Sequence, residues 1–128
     1  MKKILIIEDN PSTRQIYRDF FMQFKYIDLL EETDGDAGFK TARNKKPDLI
    51  ILDNRMPKLS GEEVAKKLKA DPITSNIPVI MITSMDLDKR QIDLIKLDVD
   101  QFIQHPLSPW ELKSAMEKQI GPLQEEDK

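Results

Sequence analysis

Cysteine is absent from the 128-residue chain, which excludes disulfide frameworks and thiolate metal sites. Four glycines are too few for a glycine-rich phosphate cradle, and no P-loop, HExxH or GxSxG motif occurs. A single histidine leaves no cluster to compete for a softer metal. Basic residues are not in excess: 20 against 23 acidic give a net charge of -3, whereas a nucleic-acid surface normally shows a basic surplus. Long apolar runs are missing too. "MKKILIIED" opens like a signal peptide, but only four apolar residues precede the acids, and a secretory core needs about seven or more. Nothing approaches the roughly 18 apolar residues of a membrane helix. These absences predict a cytoplasmic protein that binds no membrane, and no nucleic acid through this domain.

What is present is a globular composition, 39% hydrophobic and 34% charged. The length suits one domain that buries roughly two thirds of its unfolded surface. Apolar runs recur as "ILII" (4–7), "IDLL" (27–30), "LIIL" (49–52), "VIMI" (79–82) and "VDQFIQ" (99–104). The first, third and fourth are apolar throughout, as strands covered on both faces should be. The other two are mixed, as near a sheet edge. Helical spacing fills the gaps: Ile16, Phe20 and Phe24 widened by Tyr17 and Phe21; Ala37, Phe39 and Ala42 in 36–45; Val64, Ala65 and Leu68; Ile92 and Ile95; Leu112, Ala115, Met116 and Ile120. Asn10 before Pro11 marks an N-cap with proline at the first helical position. Ser60 followed by Glu63 has capping-box spacing. Strand and helix alternate five times, which predicts an α/β fold with a doubly wound five-stranded parallel sheet. Met22, Met81 and Met116 are expected to fill the core, and the lysines at 45–46 and 66–69 to be solvated helix faces. Gly121-Pro122 stops the last helix, so residues 1–120 are read as one domain and 121–128 as a frayed tail or the start of a linker.

Ligands of such a sheet bind beyond the carboxyl ends of its strands. Glu8 and Asp9 follow the first strand, Asp53 the third, Thr83 and Ser84 the fourth, and His105-Pro106 the fifth. Two like charges about 4 Å apart repel by about 4 kcal/mol at an effective dielectric of 20, so three carboxylates together invite a cation. An all-oxygen site with room for water suits magnesium. A carboxylate beside that ion, with hydroxyl and cationic donors nearby, can accept a phosphoryl group. Taken singly, each feature has a plainer reading: Glu8 and Asp9 favour the positive end of a helix, and Thr83 ends a strand. Their coincidence at successive strand ends points to a site.

These residues resemble the receiver domain of bacterial two-component response regulators. The acidic pair Glu8-Asp9, "LDNRMPKLSG" around Asp53, Thr83 after the fourth strand and an aromatic before "HP" carry the likeness over about residues 2–120. The resemblance implies the flavodoxin-like strand order 2-1-3-4-5 with five helices. It implies a phosphoacceptor that assists its own phosphorylation and dephosphorylation, not a conventional enzyme. Asp53 would take the phosphoryl group from a sensor histidine kinase or phosphotransfer protein. Glu8, Asp9, Asp53 and the backbone carbonyl of Arg55 would hold Mg2+. Thr83, Ser84 and His105 would contact the phosphoryl group, Thr83 and Phe102 would switch, and the turn at Met56-Pro57 would shape the loop beside the acceptor. A surface of the fourth helix, fifth strand and fifth helix would then engage a downstream protein target. Three positions depart from the pattern: His105 replaces the usual lysine, Asp98 the usual glycine, and Phe102 the commoner tyrosine. The first of these suggests an alternative, a degenerate receiver-fold module acting by constitutive protein contacts. A haloacid-dehalogenase-like phosphatase would want a second aspartate two residues after Asp53, where Arg55 stands.

Overall fold

The computed structural model describes residues 1–56, 58–104 and 108–126. Pro57 and His105, both given roles above, lie outside the described residues. The chain alternates β1 (Lys2–Ile7), α1 (Pro11–Phe21), β2 (Ile27–Glu32), α2 (Gly35–Lys45), β3 (Leu49–Leu52), α3 (Gly61–Ala70), β4 (Val79–Thr83), α4 (Lys89–Lys96), β5 (Gln101–Gln104) and α5 (Pro109–Ile120). The five strands form one sheet in the order β2-β1-β3-β4-β5, and every pairing is parallel. The doubly wound parallel sheet is the one the alternation of elements predicts, and its flavodoxin-like order is the one the resemblance implies.

Position in the sheet follows from composition. The apolar runs 4–7, 49–52 and 79–82 are buried along their whole length and supply the three central strands, whereas the mixed β2 and β5 lie at the edges. Successive side chains point to opposite faces. Ile4, Ile6, Leu49, Ile51, Ile80 and Ile82 therefore pack on one side with α1 and α5. Leu5, Ile7, Ile50, Leu52, Val79 and Met81 pack on the other with α2, α3 and α4. Each such fully buried side chain contributes about 1.5–3 kcal/mol.

The helix starts are where the capping residues place them. Asn10 accepts from the backbone of Ser12 and Thr13, and Ser60 and Glu63 form the reciprocal capping box. The buried stripe of α1 is Tyr17, Phe20 and Phe21, continued by Phe24, with Phe20 edge-on to Phe21 at 5.1 Å between ring centroids. Ile16, expected in that stripe, is 67% exposed; it sits roughly a quarter turn from the stripe's centre. Met22 is likewise 75% exposed, unlike Met81 and Met116, which are core residues as expected.

The inner face of α2 is Gly35, Gly38 and Ala42. Ala37 and Phe39, expected to share it with Ala42, are only half-buried. The glycines let α2 approach the sheet closely: a methyl group at Gly38 would come within 2.5 Å of Ile7 Cδ1.

The segment after α5 is not frayed through Glu126. The amide of Lys25 donates to the carbonyl of Gln124 and that of Glu126 to Gln23, while Leu123 packs against the α1–α5 core. Among the described residues, no helix is long and apolar enough to cross a membrane.

Candidate functional site

Parallel register brings the acids level with one another. Ile7 of β1 pairs with Leu52 of β3, and Leu52 with Met81 of β4. Glu8 and Asp53 are thus the first residues past a common line, and Thr83 lies two beyond it. The Asp53 amide donates to the Ile7 carbonyl at 3.2 Å, which holds the two strand ends together. One carboxylate oxygen each from Glu8, Asp9 and Asp53 lies within 4.8 Å of the others. Glu8 is buried, Asp53 half-buried and Asp9 exposed, so the cluster meets solvent on the Asp9 side.

Crowding shows in the proton affinities. Burial pushes the Glu8 carboxyl up to about 7, Asp53 and Asp9 add to the rise, and the Asn10 amide opposes it; that amide donates to Glu8 Oε2 at 3.1 Å. Asp53 is also raised, first by burial and then by Asp9, against amides of Arg55 and Asn54 and the Thr83 hydroxyl. The Tyr17 phenol is pushed above its usual range by burial, with Glu8 and Asp53 contributing. A cation would reverse this loading, because it favours the ionised carboxylates. The donor set is all oxygen, so it fits magnesium on the chemistry of its ligands.

Between the ordinary carboxyl value of 4.5 and about 7 the folded protein holds a Glu8 proton that the unfolded chain has released. Folding stability from this group is therefore present below that window and lost as pH rises through about 7. Discounted for solvent access, the loss is about 1 kcal/mol. Urea unfolding in chelator at pH 5.5 and 8 should show a drop on raising pH that shrinks in Glu8→Gln. Saturating magnesium should also shrink it. Identical pH profiles for the two proteins would refute the assignment.

The other candidate residues fall as follows. Thr83 is fully buried, and its Oγ1 accepts the Met85 amide at 3.1 Å. Ser84 is exposed at the same strand end, and Arg55 is exposed on the loop after β3. Phe102, level with Met81, is half-buried against the α2–α4 face of the sheet.

Three residues not singled out from the sequence also shape the site. Asn54 is buried and ties loops together: its Oδ1 accepts the Glu62 amide at 2.8 Å, and its carbonyl accepts that of Gly61 at 2.9 Å. Tyr17 is buried near enough to Glu8 and Asp53 to feel both charges, and Arg14 reaches back over the loop that carries Glu8 and Asp9. A cation in the first turn of a helix opposes the helix dipole; that was the legible signal for Arg14.

The family model for the response regulator receiver domain matches residues 4–117. The chain belongs to the response regulator receiver domain family. This receiver domain is 32% identical over 120 residues to the chemotaxis protein CheY1 of Helicobacter pylori, covering 93% of this chain and 97% of that one. It is 31% identical over 115 residues to the alkaline phosphatase synthesis transcriptional regulatory protein PhoP of Bacillus subtilis, covering 90% of this chain and 47% of that one. The chain spans about half or less of the length of several curated relatives it matches. Among solved structures it superposes on the receiver domain of a sensor histidine kinase from Pseudomonas aeruginosa with a TM-score of 0.82 and 21% identity, covering 94% of this chain and 98% of that one. That protein was crystallised with a magnesium ion coordinated in its active-site cleft; at that identity the likeness speaks to the fold.

Proposed function

We propose that this receiver domain is a phosphorylation-dependent signalling switch whose phosphoacceptor is Asp53. The observation that carries the reading is the convergence of Glu8, Asp9 and Asp53, oxygens within 4.8 Å, at the carboxyl edge of the sheet. Glu8, Asp9, Asp53 and the carbonyl of Arg55 would hold Mg2+, which supplies charge neutralisation for the transferring phosphoryl group. An Asp53 oxygen forms the new P–O bond as the P–N bond to the donor histidine breaks, and the electron pair leaves with the imidazole.

The Thr83 hydroxyl, with Ser84 and His105, would receive the phosphoryl oxygens. To do so Thr83 Oγ1 must stay turned to the cleft, and its bond from the Met85 amide links any movement to the β4–α4 loop. Gln104 Nε2 donates to the Met85 carbonyl at 3.0 Å, so that loop is also tied to β5, where Phe102 lies. The downstream target would read this change on the α4–β5–α5 surface. The donor would be a sensor histidine kinase or phosphotransfer protein in the cytoplasm.

The test is incubation with a small phosphodonor. With magnesium, one phosphoryl mass should be added; with chelator, none. Backbone NMR should show magnesium shifting the amides of Asp9, Asp53 and Arg55. Absence of both labelling and shifts at the acids would overturn the proposal and favour a module working by constitutive contacts.

A further inference from the structure

Arg14 sits where a cation is electrostatically disfavoured. It occupies the start of α1, a helix with no acidic residue in its first turn, where the positive end of the dipole disfavours a cation. Its side chain is only 15% exposed, so water does little to relieve that cost. The compensation comes from elsewhere. Nη1 donates to the carbonyl of Glu8 at 3.0 Å and to that of Asp9 at 3.0 Å. Nε lies 3.7 Å from Glu31 Oε1 on β2, a buried oxygen that has no hydrogen-bond partner of its own. The other Glu31 oxygen is taken by Arg18 Nε at 2.8 Å. Among the described residues Arg14 makes no ion pair with Glu8, Asp9 or Asp53, so its charge stays behind the loop and leaves the cleft free.

We infer that Arg14 is a positioning residue for the cation site: it clamps the two carbonyls of the β1–α1 loop, and Glu31 orients it, so that the Glu8 and Asp9 carboxylates project together into the cleft. Two charge-assisted hydrogen bonds from one guanidinium nitrogen fix two successive peptide planes. Consecutive peptide planes set the direction of the Asp9 side chain between them. Without the clamp the exposed Asp9, which is under repulsion from its neighbours, is free to swing toward solvent. Lysine keeps the charge but lacks the planar fork held between carbonyls and carboxylate. This inference rests on the reading of the acid cluster as a magnesium site.

Magnesium titration of the intact chain, followed by the Asp9 and Asp53 amide shifts, tests it. Residues that orient metal ligands change affinity by about tenfold or more when removed. Arg14→Met should weaken magnesium binding by about tenfold, Arg14→Lys and Glu31→Gln by less, and Lys40→Met, which breaks only an exposed pair with Asp36 on α2, should bind like wild type. At saturating magnesium, beryllofluoride should bind Arg14→Met nearly as tightly as wild type, a recovery that general damage to the fold would not give. Urea unfolding in chelator reports stability separately. Wild-type affinity in Arg14→Met overturns the inference; if that variant does not fold, wild-type affinity in Arg14→Lys does so. A wild-type protein that binds no magnesium overturns the reading of the site as well, which distinguishes the two failures.

Discussion

Asp53→Asn should abolish phosphoryl transfer from a small phosphodonor while leaving a folded, slightly more stable protein. The two effects have separate causes. An amide nitrogen or oxygen is a far weaker nucleophile than a carboxylate, so the acceptor is lost outright and intact-mass analysis should show no added phosphoryl group. The same change removes one of three crowded charges. Asp53 raises the proton affinity of Glu8, and Asp9 raises that of Asp53. Without magnesium, relief of this repulsion should raise stability by roughly 1 kcal/mol, seen as a higher urea midpoint in chelator. With magnesium the order should reverse, because the mutant has lost a ligand. Labelling of the mutant equal to that of wild type would place the acceptor elsewhere. A lower midpoint in chelator would mean that Asp53 is held by attractive contacts rather than strained by its neighbours.

Much of the route to that site is visible in the chain. Runs such as Leu49–Leu52 are apolar at every position because both faces of a central strand are covered, so strand identity and centrality are legible together. Acids directly after such runs then lie on one edge by register alone. Features that depend on distances between elements are less legible. Ile16 and Tyr17 both belong to an apolar stripe by spacing, and only the direction of the sheet decides which is buried. On α2 the residues nearest the core are glycines, invisible to a search for apolar side chains. The docking of residues 122–126 joins the packing of Leu123 to backbone hydrogen bonds with the α1–β2 turn, and those bonds carry no sequence signature. For Arg14 the sequence shows only that a cation stands at the wrong end of a helix; its hydrogen-bond partners, two backbone carbonyls, carry no side-chain signal.

Gly61→Ala should cost about 2–4 kcal/mol and disturb the acceptor as well as the fold. Gly61 is the first residue of α3, where alanine would ordinarily gain up to about 1 kcal/mol over glycine in helix propensity. Sterics decide against it. A methyl group there would lie 2.2 Å from the Asp53 carbonyl oxygen and 2.7 Å from Asn54 Cα. Both are backbone atoms and cannot rotate away. The Asn54 carbonyl is moreover held by the Gly61 amide at 2.9 Å, and the Asn54 side chain by the Glu62 amide. Relief requires moving either α3 or the peptide that carries Asp53, and overpacking of this kind costs about 1–3 kcal/mol in ordinary cores where side chains can adjust. Two of the other glycines supply the controls. At Gly38 the nearest atoms all belong to the Ile7 side chain, which can adjust, so Gly38→Ala should cost less. Gly121 has open space around it but φ 83° and ψ -179°, a region open essentially to glycine alone, so Gly121→Ala should cost about 1–3 kcal/mol through backbone strain alone. Of the three variants Gly61→Ala should therefore have the lowest urea midpoint. Only Gly61→Ala should also weaken magnesium binding, since it alone pushes on the peptide bearing Asp53. A Gly61→Ala protein with wild-type stability and wild-type magnesium affinity would show that the β3–α3 loop yields freely, and that Asp53 is not held by the approach of α3.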